Sequence, residues 1–244
     1  GIGAAAARRL ARAGAVVLLV ARRVEELAAL RDEIERAGGR AYVHPCDLAD
    51  PEAVEALATR VLEDHGHVDV VVSNAGKSIH RWISQSYDRF HDFERTTQVN
   101  YLGPARLIVA LLPSMRARGQ GHLVSVGTAG AYFGAPGWTA YVASKTAFDT
   151  WLRGVAPEAA VDGVTTTTLY LTLVRTPMVG SSAGLTRAPS MHVDEAAGMV
   201  CRAIVERPRT IAPWWWSPVR ALALLLDRPV QRITTAYARR TRPR

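Results

Sequence analysis

The sequence predicts an α/β fold built on a doubly wound parallel sheet, and three observations point there. Short runs of valine and leucine, such as Val16 to Val20 and Val68 to Val72, recur along the chain; near-continuous apolar strands of this kind belong to parallel sheets covered on both faces. Stretches of helix formers lie between them, with apolar residues at helical spacing such as Leu27, Leu30 and Ile34. The alternation of the two is the pattern of βαβ units. With 244 residues, 48% of them hydrophobic, the chain can bury a large core.

Residues 3–13 are alanine-rich helix formers stopped by Gly14, and Val16 to Val20 is a strand. A helix leading directly into a strand implies a unit whose opening strand is missing, and Gly1-Ile2-Gly3, with no methionine before it, begins inside a motif. An N-terminally truncated chain with two unpaired sheet edges is therefore expected. Arg22-Arg23 closes the first strand; the helix holding Leu27, Leu30 and Ile34 ends at Gly38-Gly39. Ala41 to Pro45 is the next strand and runs into Cys46-Asp47-Leu48. Asp50-Pro51-Glu52 opens a helix that reaches His65-Gly66, with proline in its first turn. Val68 to Val72 is a strand ending in Ser73-Asn74-Ala75-Gly76. A long helical region holding Asn100 precedes the strand Leu123 to Val126, a loop to Trp138 and a helix carrying Tyr141. Thr165 to Leu171 and Thr210 to Ala212 complete the strands.

Cys46 and Cys201 stand far apart without CxxC or histidine company, so neither a disulfide framework nor a zinc site is indicated, and both read as buried thiols of a reducing compartment. The seven histidines form no metal-binding spacing. No signal peptide opens the chain and no apolar run is long enough to span a bilayer, which predicts a soluble, cytoplasmic protein. The net charge of +8 is uneven: residues 1–200 balance 20 basic against 20 acidic groups, while 201–244 carry 10 arginines against Glu206 and Asp227. That tail also holds Trp214-Trp215-Trp216 and an apolar run to Leu226. It suits a membrane surface, an acyl chain or the phosphates of a ligand, or else a helix packed on the sheet or on a partner subunit. Nucleic-acid binding is not indicated, because no recognition motif accompanies the charge.

The chemistry concentrates in Tyr141-Val-Ala-Ser-Lys145. Lysine occurs only at positions 77 and 145, against 28 arginines. Residues four apart share a helix face, so the ammonium can sit beside the phenol. A phenol of pKa about 10 is a poor acid or base near neutrality, and a nearby cation is expected to lower that value. In parallel sheets ligands bind at the carboxyl ends of the strands, and the remaining candidates fall at such ends. Gly1-Ile2-Gly3 leads into a helix, where glycines admit a pyrophosphate to backbone N–H groups, or simply make a tight turn. Arg22 and Arg23 stand where an acid would bind a ribose 2′-hydroxyl; guanidinium groups suit a 2′-phosphate instead, or are solvated at a helix start. Asp47 can accept from an adenine amino group or cap its own turn, with Leu48 beside it. Asn74-Ala75-Gly76 offers small residues where a ligand passes close to the backbone, or forms a plain turn.

Taken in order, Gly-Ile-Gly, Cys46-Asp47-Leu48, Asn74-Ala75-Gly76, Asn100, Tyr141-Val-Ala-Ser-Lys145 and Val174-Arg-Thr-Pro-Met178 resemble the short-chain dehydrogenase/reductase family, over practically the entire chain. The resemblance implies a Rossmann-type sheet whose first strand is missing here. Residues 1–213 would form the NADP-binding reductase domain, and 214–244 a basic extension of it. It further implies NADP(H) as cofactor, Tyr141 as proton donor, Lys145 as the group that binds the nicotinamide ribose and lowers the tyrosine pKa, Asn100 in a proton relay, and Thr176 at the nicotinamide carboxamide. A dimer or tetramer is implied as well. Two positions depart from the pattern: Thr128 stands where the family has its catalytic serine, and Leu171-Thr172 replaces the usual Pro-Gly. Threonine keeps a hydroxyl able to donate to an oxyanion, so Thr128 retains the role.

Longer stretches, including Val17-Leu-Leu-Val-Ala-Arg-Arg23, Asp64-His-Gly-His-Val-Asp69 and Asp88 to Arg95, are similar to the bacterial fatty acyl-CoA reductases of that family. By that likeness the substrate is an acyl thioester reduced to the aldehyde; residues 179–191, rich in Ser, Gly and Ala after Met178, have the place and composition of a substrate lid or of a disordered surface loop. The alternatives are a ketone or 3-oxoacyl thioester reductase, an alcohol dehydrogenase of the same family, or a non-catalytic member that binds dinucleotide or lipid.

Overall fold

The structure is a computed structural model describing residues 1–132, 135–180 and 190–241. Among the described residues six parallel strands form its centre: β1 (Val16–Ala21), β2 (Arg40–Pro45), β3 (Val70–Ser73), β4 (Gly121–Thr128), β5 (Val164–Leu171) and β6 (Thr210–Ile211). They make two sheets, β1-β2 and β3-β4-β5-β6. Among the described residues, β1 and β3 each carry a ladder on one side only, so the expected pair of unpaired edges is present. Helices α1 (Ile2–Arg12), α2 (Val24–Arg36), α3 (Pro51–His65), α4 (His91–Thr97), α5 (Gly103–Ala117), α6 (Thr139–Ala160), α7 (Pro177–Gly180) and α8 (Val193–Glu206) connect and cover the strands, followed by α9 (Trp216–Leu225) and α10 (Asp227–Thr241). No described helix is long and apolar enough to cross a membrane.

Alternation along β4 and β5 sends side chains to two cores. Val124, Val126, Leu169 and Leu171 meet α1 and α8 on one side. Leu123 and Val164 meet Ile108, Leu111, Phe148 and Leu152 on the other. Helix α1 buries only alanines on its inner face, Ala5, Ala6, Ala7 and Ala11, and these small side chains let it lie close against α8. The Asp50 side chain accepts the Ala53 N–H at 3.1 Å to cap α3, behind Pro51 in its first turn. β3 starts two residues later than its valine run, because the ladder with β4 begins at Val70 opposite His122. Cys46 is buried as expected, but Cys201 is only partly so.

One core histidine is expected to contribute to acid sensitivity. His122 is fully buried on β4 with its Nε2 2.9 Å from the Thr167 hydroxyl oxygen. That hydroxyl gives its single proton to the Pro208 carbonyl, so the imidazole must be the donor and is neutral. Burial pushes its pKa down to about 4. A group depressed in the folded state supports folding fully above its unfolded value, and this support fades as pH falls through the folded one. Acidification from about pH 6.5 to 4 is therefore expected to remove up to about 3 kcal/mol through this group. Urea midpoints across that window, compared with His122→Asn, test it; an equal loss in the variant would show that His122 is not responsible.

Candidate active site

A cleft of about 1880 Å³ runs along the unpaired edges of β1 and β3 and reaches the carboxyl ends of the strands. Its walls include Gly1, Ile2 and Gly3 of the α1 start, Arg22 and Arg23 after β1, Leu48, Asn74-Ala75-Gly76 after β3, Thr128 at the end of β4, Tyr141, Lys145 and Thr176. Asp47 and Asn100 do not line the cleft directly; each reaches it through a neighbour. One Asp47 carboxylate oxygen accepts the Ala49 N–H at 3.0 Å, and the other stands 3.7 Å from Arg22. The turn cap is thus real, and the same carboxylate faces the arginine that borders the cleft. Arg23 is paired with Glu26 at 2.8 Å, whereas among the described residues Arg22 makes the looser contact with Asp47 at 3.7 Å.

Asn100 is buried at the bend between α4 and α5, where a π turn spans Gln98–Leu102. The sequence gives a reason for the bend: Pro104 has no N–H to offer the Asn100 carbonyl four residues back, and the Gly103 N–H reaches back five residues to Gln98. Gly103 is also where α5 meets the Leu48 loop, since a Cβ there would lie 2.0 Å from the Leu48 carbonyl oxygen. The Asn100 amide then ties two segments together. Its Oδ1 accepts the Lys77 N–H at 2.7 Å, and its Nδ2 donates to the Lys77 carbonyl and to Ser144 Oγ, both at 2.9 Å. Ser144 Oγ donates in turn to the Tyr141 carbonyl at 2.8 Å. Asn100 thereby links the loop after β3 to the helix that carries Tyr141 and Lys145. Sequence reasoning missed Ser144, although it falls on the inward stripe of α6 with Ala140, Lys145 and Phe148.

Lys145 is 8% exposed, with Nζ 3.2 Å from the Val126 carbonyl oxygen. A Cβ on Gly76 would sit 3.4 Å from both that nitrogen and Asn100 Oδ1, so glycine keeps this part of the cleft floor open. Burial pushes the ammonium down to about 8 and pushes the Tyr141 phenol up. The expectation that Lys145 lowers the phenol's pKa is corrected: helical spacing brings the two side chains to one face, but desolvation governs the phenol and the ammonium is turned to a β4 carbonyl. Tyr141 is therefore a protonated, donating phenol at neutral pH. Thr128 Oγ1 accepts the Gly130 N–H at 3.2 Å, which leaves its own proton free to donate into the cleft. Leu171, at the position of the first departure on β5, stays in the ladder opposite Thr128 and helps fix that residue's backbone. Near Arg22, the Lys77 ammonium is pushed down by burial and then by Arg95 and Arg22, a cationic neighbourhood that suits phosphate. Of the expected lid 179–191, residues 181–189 lie outside the described residues.

The sequence pattern of the short chain dehydrogenases matches residues 1–184. The chain belongs to the short-chain dehydrogenase family. It is 45% identical over 230 residues to an uncharacterized oxidoreductase of Mycobacterium tuberculosis, covering 93% of this chain and 66% of that protein. It is 43% identical over 212 residues to the fatty acyl-CoA reductase of Acinetobacter baylyi, covering 87% of this chain and 72% of that protein. This short-chain dehydrogenase spans about two thirds of the length of the first of these relatives. Its fold matches a metagenomic short-chain oxidoreductase solved in complex with NADP, with a TM-score of 0.74 and 31% identity over 87% of this chain and 90% of that one. Two parallel sheets flanked by helices, with the site at the strand ends, are thus the Rossmann-type arrangement of an oxidoreductase family.

Proposed function

We propose that the chain is an NADPH-dependent reductase of acyl thioesters, converting a fatty acyl-CoA to its aldehyde and free CoA. The observation that carries the reductase reading is the linked set Asn100–Ser144–Tyr141 with Lys145 against Gly76. The acyl-CoA substrate is supported by the likeness to the Acinetobacter baylyi enzyme, and the cofactor by the NADP-bound structural relative. The residues fit such a cofactor: glycines 1 and 3 open a helix N-terminus that would take a pyrophosphate, Arg22 would offer a guanidinium to a 2′-phosphate with Arg23 next to it, Leu48, Asn74-Ala75-Gly76 and Thr176 of the same cleft would line it, and Asp47 would act beside Arg22. When bound, NADPH supplies the hydride.

The chain's own groups handle the proton and the charge. Thr128 and Tyr141 donate to the carbonyl oxygen as it gains negative charge, and Tyr141 passes its proton to that oxygen. The product of this addition is a hemithioacetal. Its C–S bond then breaks, the sulfur leaves as the CoA thiol with a proton, and the carbonyl re-forms as an aldehyde. Lys145, its ammonium held at the Val126 carbonyl beside Gly76, keeps a positive charge on the cleft floor. Asn100, fixed by Lys77 and Ser144, keeps this cation and the phenol in register with the strand ends.

The reading is tested by following NADPH oxidation with palmitoyl-CoA while thiol release is measured in parallel, beside Arg22→Ala. Equal rates of NADPH loss and thiol appearance are expected. In Arg22→Ala the preference for NADPH over NADH should fall about 10- to 100-fold, as a charge-assisted phosphate contact is lost. NADPH loss with ketones and no thiol from palmitoyl-CoA would overturn the substrate and leave the reductase; no turnover with either would overturn the catalytic reading.

A further inference from the structure

The C-terminal helices carry charge and apolar surface that the reductase site does not use. The tryptophan triplet divides: Trp216 is buried and stacked on Tyr170 with centroids 3.9 Å apart, so it anchors α9 to the body, while Trp214 is 88% exposed. Beyond that anchor α9 turns Val219, Leu222 and Leu225 outward, residues spaced so that they share one helix face, and Leu226 just after it is exposed as well. The stripe continues from Leu226 to Ile233 and Tyr237 of α10, again at helical spacing and exposed. Among the described residues, the element against which α10 chiefly packs is α9. Arg228, Arg232, Arg239 and Arg240 are exposed on α10, and Asp227 is the one acidic residue after Glu206.

We propose that α9 and α10, with Trp214, form a docking surface for an anionic lipid bilayer. Along α10, Arg228, Arg232 and Arg239 flank the apolar stripe, and Arg240, three residues after Tyr237, closes its end; such a helix lies in a membrane interface, held by apolar burial and by attraction to acidic headgroups. An exposed indole beside such a helix suits the same depth. The charge argues against a second copy as the occupant. Self-pairing through the stripe would bring two copies of Arg240 together, flanked by further arginines and with almost no carboxylates to neutralise them, whereas acidic headgroups neutralise them directly. The surface is independent of the substrate reading, although an enzyme that releases an apolar product would deliver it at the bilayer.

The test is co-sedimentation of the full chain with vesicles of phosphatidylcholine, with and without phosphatidylglycerol, at low and high salt. Binding only to the phosphatidylglycerol vesicles, weakened by salt, is expected. Arg232→Glu/Arg239→Glu/Arg240→Glu should lower that binding at least tenfold, each lost arginine counting for about fivefold, and Leu225→Ser/Ile233→Ser should lower it as well. Circular dichroism and NADPH oxidation should be unchanged in both, since neither touches the cleft. Equal recovery with the two vesicle types, or binding unmoved by the arginine changes, would overturn the proposal. So would a shift from dimer to monomer in Leu225→Ser/Ile233→Ser without vesicle binding by the parent chain, which would make the face a subunit contact.

Discussion

Replacing Tyr141 with phenylalanine is expected to lower turnover by about 10²- to 10⁴-fold, the range for loss of a general acid, with little effect on the fold. The cleft offers this phenol as a proton donor because burial holds it protonated. Phenylalanine keeps the ring against Trp138, whose centroid is 6.4 Å away, so the packing that orients the start of α6 survives. The loss should fall on kcat, since the phenol's proton is needed only as charge develops on the substrate oxygen. NADPH affinity should stay within about twofold, because the other groups of the cleft that would hold the cofactor are unchanged. Single-turnover rates and cofactor titration would separate the two. A variant that keeps more than a tenth of the parent rate would show that another group delivers the proton, and Thr128 would be the next to change.

Much of this architecture is legible in the sequence because it is written locally. Each strand is a short apolar run, and Tyr141 and Lys145 share a helix face by spacing alone. What stayed hidden depends on elements that meet from far apart in the chain. Ser144 becomes a link only when Asn100, 44 residues away, is brought to it at 2.9 Å. Gly103 matters because the Leu48 carbonyl presses on it, which no periodicity reveals. The direction of the Tyr141 shift was misjudged for a related reason: proximity of a cation can be read from spacing, but the depth of burial that outweighs it cannot. Trp214 and Trp216 look alike in the sequence, yet successive residues on a turn and helix start point in different directions, and one becomes an anchor while the other is exposed.

Lys145→Met is expected to move activity and stability in opposite directions. Holding the ammonium at 8% exposure drops its pKa from 10.5 to about 8, so folding at neutral pH carries the cost of desolvating a charge. A shift of that size corresponds to about 3 kcal/mol. Methionine fills similar space without charge but gives up the hydrogen bond to the Val126 carbonyl, worth about 1 kcal/mol. The variant should therefore be more stable than the parent at pH 7 by about 1–2 kcal/mol, or roughly 2–8 °C in Tm. The sign reverses the usual pattern for surface lysines. Because the folded state binds this proton less tightly than the unfolded chain, the parent's stability should rise as pH climbs from about 8 to 10.5, and the gap between the two proteins should close over that window. Activity should fall about 10²-fold or more below about pH 8, where the parent still carries the buried cation on the cleft floor. In the parent, turnover should decline as pH rises through about 8 and the ammonium empties. Thermal unfolding at pH 7 and pH 10 beside rate measurements would decide the matter. A variant less stable at pH 7 would mean that the charge at Lys145 is compensated in the fold, whereas a stable variant that still turns over would remove the lysine from the chemistry.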